Sequence, residues 1–518
     1  MIHLKINNFN RMKKNIVITF IILSIGFSCS DSFFDRYPTD SMTTENYMKN
    51  VDELKTILNA AYAGMRGAFA NSIVYIGDLP TDNAYDYKLN NSTAHISLHE
   101  SNVDAQNAVM RDLWSASYMI INRCNIVIDE MEKIDASSET YNQLVGEAKF
   151  IRAYTYFVMV RVWGDVPLVL HDIDNYMDVF EYGRTSTTDV YAQIVSDLKD
   201  SESKLPDFYS SNNDIGKVTK TAAQAILGDV YLTNKDFENA KIYFEDIIDK
   251  EGEKLGLLDD YASIFDSNNA NNKEIIFAIQ YASNQVPSMS NYLGNASLGN
   301  IQGIPISPRG MESSIYGVNI LLMTHELEAK YSETDHRRNV IYTDLISPDY
   351  LCTIPMTLKY FDYQNLIDKK SGNPDSGCET IISRYSDVIL KYAECLNETR
   401  KYPEAVEQIR RVRSRAGLET NIPINYDNIF KAIEDERQLE LSMEGHRWFD
   451  LLRTGRTKTV VNSYYNRENE IELPFTISVY QYGDPNSPLS VSDHELLFPL
   501  PYDQVVLNPD KLKQNPNY

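Results

Sequence analysis

Five cysteines and three tryptophans are few for a chain of 518 residues. After Cys29 the remaining cysteines, Cys124, Cys352, Cys378 and Cys395, form no CxxC pair and no zinc spacing. In an oxidising compartment Cys352 and Cys378 can pair across a loop; buried free thiols are the alternative. Basic residues are also scarce, with 49 Lys and Arg against 73 Asp and Glu and a net charge of −24. Nucleic-acid binding needs a basic footprint, and none is visible. No phosphate-binding loop exists: Gly294 and Gly299 have the spacing, but Asn300 stands where Lys is required. HExxH is missing. His95 and His99 sit four apart before Glu100, but two imidazoles without a third ligand do not make a metal site. Asp266, Asn268 and Glu274 faintly follow a calcium loop, yet Asn271 occupies the position that needs Gly. No nucleophile elbow or triad order can be read. A glycosidase needs two carboxylates about 5 to 10 Å apart, and 73 acids make such pairs unavoidable and uninformative. No metal, no cofactor and no catalysis are therefore expected.

Long apolar runs are missing too, apart from Ile16–Phe27. Twelve helical residues span about 18 Å, short of a bilayer core of about 30 Å. Arg11, Lys13 and Lys14 precede this run and Cys29 follows it. The order is that of a secretory signal peptide over residues 1–28. The Cys resembles a bacterial lipobox, although Gly26 replaces the usual Leu. Lipidation of Cys29 is expected, because several acyl chains anchor firmly where one does not. Cleavage removes four of the 49 basic residues and no acid, leaving 45 against 73 and a charge of −28.

What the chain does have is helical periodicity. Apolar residues recur at three- and four-residue steps, as in Leu54, Leu58, Ala61 and Met65. Helices or helix pairs are expected over Val51–Phe69, Ala108–Lys133, Tyr141–Trp163, Thr188–Leu205, Thr219–Lys250, Tyr385–Ala416 and Asn428–Arg453. Residues 227–240 align without gaps on 392–405, setting Gly228 on Ala393, Phe237 on Tyr402 and Ala240 on Ala405. Small residues inside the hairpin and an aromatic at its turn follow tetratricopeptide chemistry. Residues 251–380 differ, being rich in Asn, Ser, Gly, Pro and Tyr. Asn291–Asn300 and Gly303–Gly310 read as loop, and Glu274–Gln280 and Glu495–Phe498 as short strands. The expected fold is mainly α: a tetratricopeptide-like scaffold with a loop-rich insert and minor β. One body is expected over 29–518, with a helical part at 29–250, the insert at 251–380 and a second helical part at 381–518.

Three stretches resemble the SusD/RagB family. The first is Glu147–Leu168, with Arg152-Ala-x-x-Tyr156 and the exit Gly164-Asp-Val-Pro-Leu168. The second joins Ile409–Leu418 to Ile433–Gly455, through Glu444-Gly-His-Arg-Trp-Phe-Asp-Leu451. The third is Leu497-Phe-Pro-Leu-Pro501 with Leu507-Asn-Pro509 and Gln514-Asn-Pro-Asn-Tyr518, where the family tail usually has Gly at Asn517. The resemblance covers nearly the whole chain. It implies a lipoprotein on the outer face of the outer membrane that captures oligosaccharides. It further implies delivery to a TonB-dependent SusC-like barrel, on which the protein lies like a lid. The same architecture capturing peptides or another nutrient is the alternative; a glycan-degrading enzyme and a helical adaptor without a small ligand rank behind. The residues of 433–453 read as scaffold: Glu436, Glu440 and Glu444 share one face of a helix, with Arg437, Arg447 and Arg453 in pairing reach.

Sugars stack ring faces on aromatics and bond their hydroxyls to polar side chains. With 35 Tyr and 3 Trp, a platform here is expected to be Tyr-built. Two polar, Tyr-bearing segments fall where the family places its ligand: Asn83, Tyr85 and Tyr87 after the first helix, and Tyr281, Asn291, Tyr292 and Tyr316 in the insert.

Overall fold

A computed structural model of the chain describes residues 50–86, 93–173, 175–282, 300–305, 312–316, 321–342, 355–362, 376–470 and 489–518. The calls on Cys29, Tyr87, Asn291, Tyr292 and Cys352 lie outside these residues. Residues 54–518 form one compact unit.

The helices are α1 Val51–Gly64, α2 Ala70–Asp78, α3 Thr93–His99, α4 Ala108–Met131, α5 Ser138–Trp163, α6 Thr187–Lys204, α7 Lys220–Thr233, α8 Phe237–Ile248, α9 His325–Ala329, α10 Tyr385–Glu398, α11 Tyr402–Arg415, α12 Tyr426–Glu440, α13 Arg447–Arg453, α14 Thr457–Glu470 and α15 Tyr502–Leu507. Their starts are written in the sequence. Asn107, Ser137, Ser186, Thr219, Asp236 and Asn425 each accept a backbone N–H at a helix start. From α4 to α8 each helix packs on the next, then α8 packs on α10, and α10 on α11 and α12. This is a stack of helical hairpins. Its aromatic core includes Trp114 edge-on to Trp163 at 5.1 Å and Phe150 edge-on to Phe277 at 5.0 Å.

The aligned segments are copies in geometry as well. α8 begins at Phe237 and α11 at Tyr402, the residues set opposite one another by the alignment. Lys235 and Arg400, also equivalent, both have positive φ, at 61° and 62°. In both turns the next backbone N–H bonds back across five residues, Asp236 to Tyr231 and Lys401 to Leu396.

Among the described residues, four two-stranded antiparallel ladders complete the fold: β1 Ala84–Tyr85 with β5 Leu322–Met323, β2 Ile275–Ile279 with β8 Thr380–Arg384, β3 Asn300–Pro305 with β4 Glu312–Tyr316, and β6 Ile341–Tyr342 with β7 Met356–Thr357.

Several expectations are corrected. The helix expected over Val51–Phe69 breaks after Gly64, because Arg66 is extended and Gly67 has φ 64°. The following α2 was not foreseen. Nearly all of it is buried, and at nine residues after a kink it is too short for a helical period to stand out. The helix expected through Arg453 stops at Glu440, and Met443 and Gly445 take positive φ before α13. Glu444 therefore stands in a turn rather than on the helical face of Glu436 and Glu440. A Cβ on Gly77 of α2 would lie 2.1 Å from the Gly445 carbonyl oxygen, so the turn bends to admit a backbone contact. Gly303–Pro305, read as loop, belongs to β3, with a register shift beside the glycine. Glu495–Phe498 is not a strand: residues 494–496 make a 3-10 turn, and Phe498 donates one bond to the Val162 carbonyl at 2.9 Å.

Candidate functional site

The first family motif holds the exit of α5. Arg152 pairs bidentately with Asp197 at 2.8 and 2.9 Å and donates to the Leu170 carbonyl at 2.9 Å. The Tyr156 hydroxyl receives the Val169 N–H at 2.7 Å. Gly164 ends the helix at φ 74°, where a side chain would be strained. The C-terminal motif seals the same end. Trp163 Nε1 donates to the Pro499 carbonyl at 3.1 Å, and Asn515 Nδ2 donates to the carbonyls of Trp163 and Phe498 at 3.1 and 2.7 Å. Asn517 has φ 70°, which explains why the family prefers Gly there and why Asn is an acceptable departure.

The second motif builds a buried ionic centre. Arg384 donates to both Glu444 oxygens at 2.9 and 3.0 Å and to Glu274 at 3.1 Å. Lys359 meets Glu444 at 2.7 Å, and Arg337 meets Glu436 at 2.6 Å. Burial pushes the Glu444 carboxyl up, but Arg384 and Lys359 outweigh it and hold the group below its ordinary range. Burial lowers the His446 imidazole. The cluster is closed and mutually neutralised, which is the chemistry of a scaffold.

Next to it lies the floor of the candidate binding site. Arg447 clasps Asp82 at 2.8 and 3.0 Å, with Gln438 at 2.8 Å. Burial raises the Asp82 carboxyl, and the Arg447 charge overrides this to hold it well below the usual range. The Thr324 hydroxyl donates to the Asp82 carbonyl at 2.8 Å and its N–H to the Asn83 carbonyl at 3.0 Å. The loop before β1 is thus fixed to the start of α9. β1 and β5 pair antiparallel, with Tyr85 opposite Leu322. The chain after Tyr85 and the chain before Leu322 consequently leave the ladder at one end. Two regions more than 200 residues apart, both expected to carry ligand contacts, are joined at this point.

The expected site residues fare unequally. Asn83 is buried, donating to Asp78 at 2.8 Å and accepting from Gln438 at 2.9 Å. Tyr85 is 3% exposed, against the surface position that its polar neighbours suggest. Neither faces solvent; both belong to the floor, because the ionic clasp at Asp82 draws the loop inward. Tyr281 is half-buried just beyond β2, and burial pushes its phenol up to about 12. The Tyr316 backbone pairs opposite Asn300. What sequence reasoning missed is the floor itself, Asp82 with Arg447 and Gln438. Arg447 and the second motif were visible, but their partner lies 365 residues away. His99 turns its ring to the Leu79 and Ala84 carbonyls at 3.3 Å, and His95 packs edge-on to Tyr75 at 4.7 Å. Glu274 is consumed by Arg384 and Arg415 rather than facing a calcium loop. Among the described residues no group of three or more His, Cys, Asp or Glu is placed to hold a metal ion, and no helix is long and apolar enough to cross a membrane. Cys124, Cys378 and Cys395 are buried.

A stack of helical hairpins around a closed ionic centre, with the β1–β5 ladder fixed beside it by the Asp82–Arg447 clasp, defines a helical scaffold protein. The SusD family model matches residues 309–518, and a model described as starch-binding associating with outer membrane matches residues 32–232. The chain belongs to the SusD/RagB family. A SusD-like protein of Formosa agariphila is 28% identical over 98% of this chain and 100% of its own length. Among solved structures, a laminarin binding SusD-like protein superposes with a TM-score of 0.74 at 22% identity, covering 91% of this chain and 100% of that one. Surface glycan-binding protein A from Bacteroides thetaiotaomicron, in complex with laminarihexaose, gives 0.72 at 22% identity, covering 90% and 99%. At this identity the two structures establish the fold.

Proposed function

We propose that this protein is a lipid-anchored outer-membrane protein, facing the cell exterior, that captures oligosaccharides and delivers them to a TonB-dependent SusC-like transporter. The observation that carries the reading is the β1–β5 ladder, which together with the Asp82–Arg447 clasp ties the chain at Ala84–Tyr85 and at Leu322–Met323 to one buried floor. The names of the relatives, laminarin binding and surface glycan-binding, support a saccharide as the ligand class. The ionic centre supports binding over catalysis, since its carboxylates are each held by Arg or Lys. Tyr87, Asn291, Tyr292 and Tyr316 are the proposed contacts, with Asn83 and Tyr85 as their base and Tyr281 beside them.

A calorimetric screen of the mature protein, with laminarihexaose included, tests the reading. Tyr87→Ala and Tyr292→Ala should each weaken the best ligand about fivefold with unchanged melting temperature. Tyr85→Ala should instead lower the melting temperature, because its ring is buried. Unchanged affinity in the Tyr87, Tyr292 and Tyr316 variants would sink the site, and failure of every saccharide would sink the ligand class. Oligosaccharides should remain intact by chromatography after incubation. Cys29→Ala should release the protein from membranes, and the wild type should co-purify with a barrel and be cleaved by protease added to intact cells.

A further inference from the structure

We propose a second saccharide site, specific for acidic sugars, in a cleft of about 310 Å³ between the loop before α7, the residues after α8 and the strand β2. Its volume is at the small end of ligand pockets. One wall carries Phe208 and Tyr209, both half-buried and therefore partly open to a ring face. The same lining carries basic groups. A tight turn closes with the Gly252 N–H on the Leu255 carbonyl at 2.7 Å, and the Gly256 N–H bonds to the Lys273 carbonyl at 2.9 Å. Those two bonds bring Lys254 and Lys273 to the same cleft. Lys254 Nζ lies 5.8 Å from the Phe208 ring centroid. Neither lysine has a carboxylate partner among the described residues, and burial of either is incomplete.

The neighbouring acids do not cancel this charge. Asp214 is taken by Lys217 at 2.6 Å, which leaves exposed Glu253 as the opposing acid of the lining. Asn271, held at φ 54° with its Nδ2 on Gln280 Oε1 at 2.8 Å, supplies a fixed amide at the rim. Among the described residues a net-negative protein with 73 acids thus has an aromatic cleft in which two lysines carry no carboxylate partner. Aromatic faces take the apolar side of a sugar ring, and ammonium groups take carboxylates or sulfates attached to it. A neutral sugar would leave both lysines unused, so the cleft selects uronate-type or sulfated saccharides. This site is separate from the β1–β5 floor and rests on the saccharide-binding reading.

The test uses the mature full chain, a tetra-galacturonate probe and laminarihexaose as the neutral counterpart, both measured by calorimetry. Exposed ion pairs are individually weak, so Lys254→Gln and Lys273→Gln should each reduce affinity for the acidic probe roughly threefold, and the double variant roughly tenfold. Phe208→Ala should lose a similar amount. Raising salt should weaken acidic binding in the wild type and much less in the double variant. Both lysines are on the surface, so unchanged melting temperatures confirm folding, and laminarihexaose affinity should be unaffected by the lysine changes. The proposal is overturned if the acidic probe does not bind, if the double variant binds it as tightly as wild type, or if its binding is lost only on changing Tyr87 and Tyr292. None of those results touches the neutral-sugar titration, which judges the primary site independently.

Discussion

The hairpin α7–α8 and the hairpin α10–α11 share a turn, a register and a helix start, yet they bury opposite chemistry. Carried back in the same register beyond the aligned segment, Ala222 and Ile226 of the first stand where the second has Asp387 and Lys391. All four are buried. At these two positions the first copy is apolar; the second is a wall of the ionic centre, with Asp387 meeting Arg437 at 2.8 Å and Lys391 at 2.7 Å. The small-residue position differs by compensation. Gly228 faces the Phe244 ring, whereas Ala393 has Ile409 at the position equivalent to Phe244. A repeat is therefore conserved as backbone geometry and free to change what it encloses, provided volumes match and charges are paired.

The largest effect should come from unpairing the second copy. Asp387→Ala leaves Arg437 and Lys391 without their shared carboxylate and should cost about 3–5 kcal/mol by chemical denaturation. A loss below about 1 kcal/mol would show that the ionic wall is dispensable. The two copies meet at Lys391, which also contacts Asp229 of the first at 2.5 Å. Burial pushes the Asp229 carboxyl up despite Lys391, while Lys391 and Arg437 outweigh burial at Asp387 and hold it far below its usual range. The signs are opposite. A depressed acid stabilises above its unfolded value and loses that stability as pH falls; a raised acid favours the fold when protonated and loses it as pH rises. Melting curves from about pH 3 to about pH 8 should show Asp387→Asn flattening the acid-side rise of stability. Asp229→Asn should instead shift the balance in favour of neutral pH.

Next, Gly228→Ala places a methyl 2.4 Å from the Phe244 ring and should cost about 1–2 kcal/mol after the gain in helix propensity. Ala393→Gly should cost about 1 kcal/mol, from propensity and a lost methyl. Equal losses would mean that the volume compensation is not used. Smallest of all, Lys235→Gly and Arg400→Gly relieve positive φ and should each stabilise by under about 1 kcal/mol, by the same amount in both copies. Unequal gains would separate turns that look alike.

The repeat was legible because its signals are local: a small residue, an aromatic at the helix start and a turn between them. The three family motifs were legible for the same reason, and their scaffold role agrees with the pairs formed by Arg152, Arg447 and Trp163. What stayed hidden depends on distant partners or on uniform burial. α2 is nine residues long and follows a kink, too short for its period to stand out. The end of α12 at Glu440 is imposed by the approach of Gly77 to Gly445, which nothing near position 440 announces. Asn83 and Tyr85 looked like surface residues since Asp82, Asp86 and Lys88 surround them, but Arg447 neutralises Asp82 from the other end of the chain. Polar composition marks a loop only while its charges remain unpaired.

The backbone contact of Gly77 with Gly445 also sets an order in time. The Gly445 N–H bonds to Asp78 Oδ2 at 2.7 Å across 367 residues of chain. Closing so long a loop is entropically costly and kinetically late. The floor begins at the next turn, residues 79–86, and takes its rigidity from Arg447 and Gln438 of the same late-arriving region. Helical hairpins can form locally and early, each on its own, but none of them carries the floor. The proposed primary site is accordingly expected to form only with this last long-range closure, after the helical stack that surrounds it.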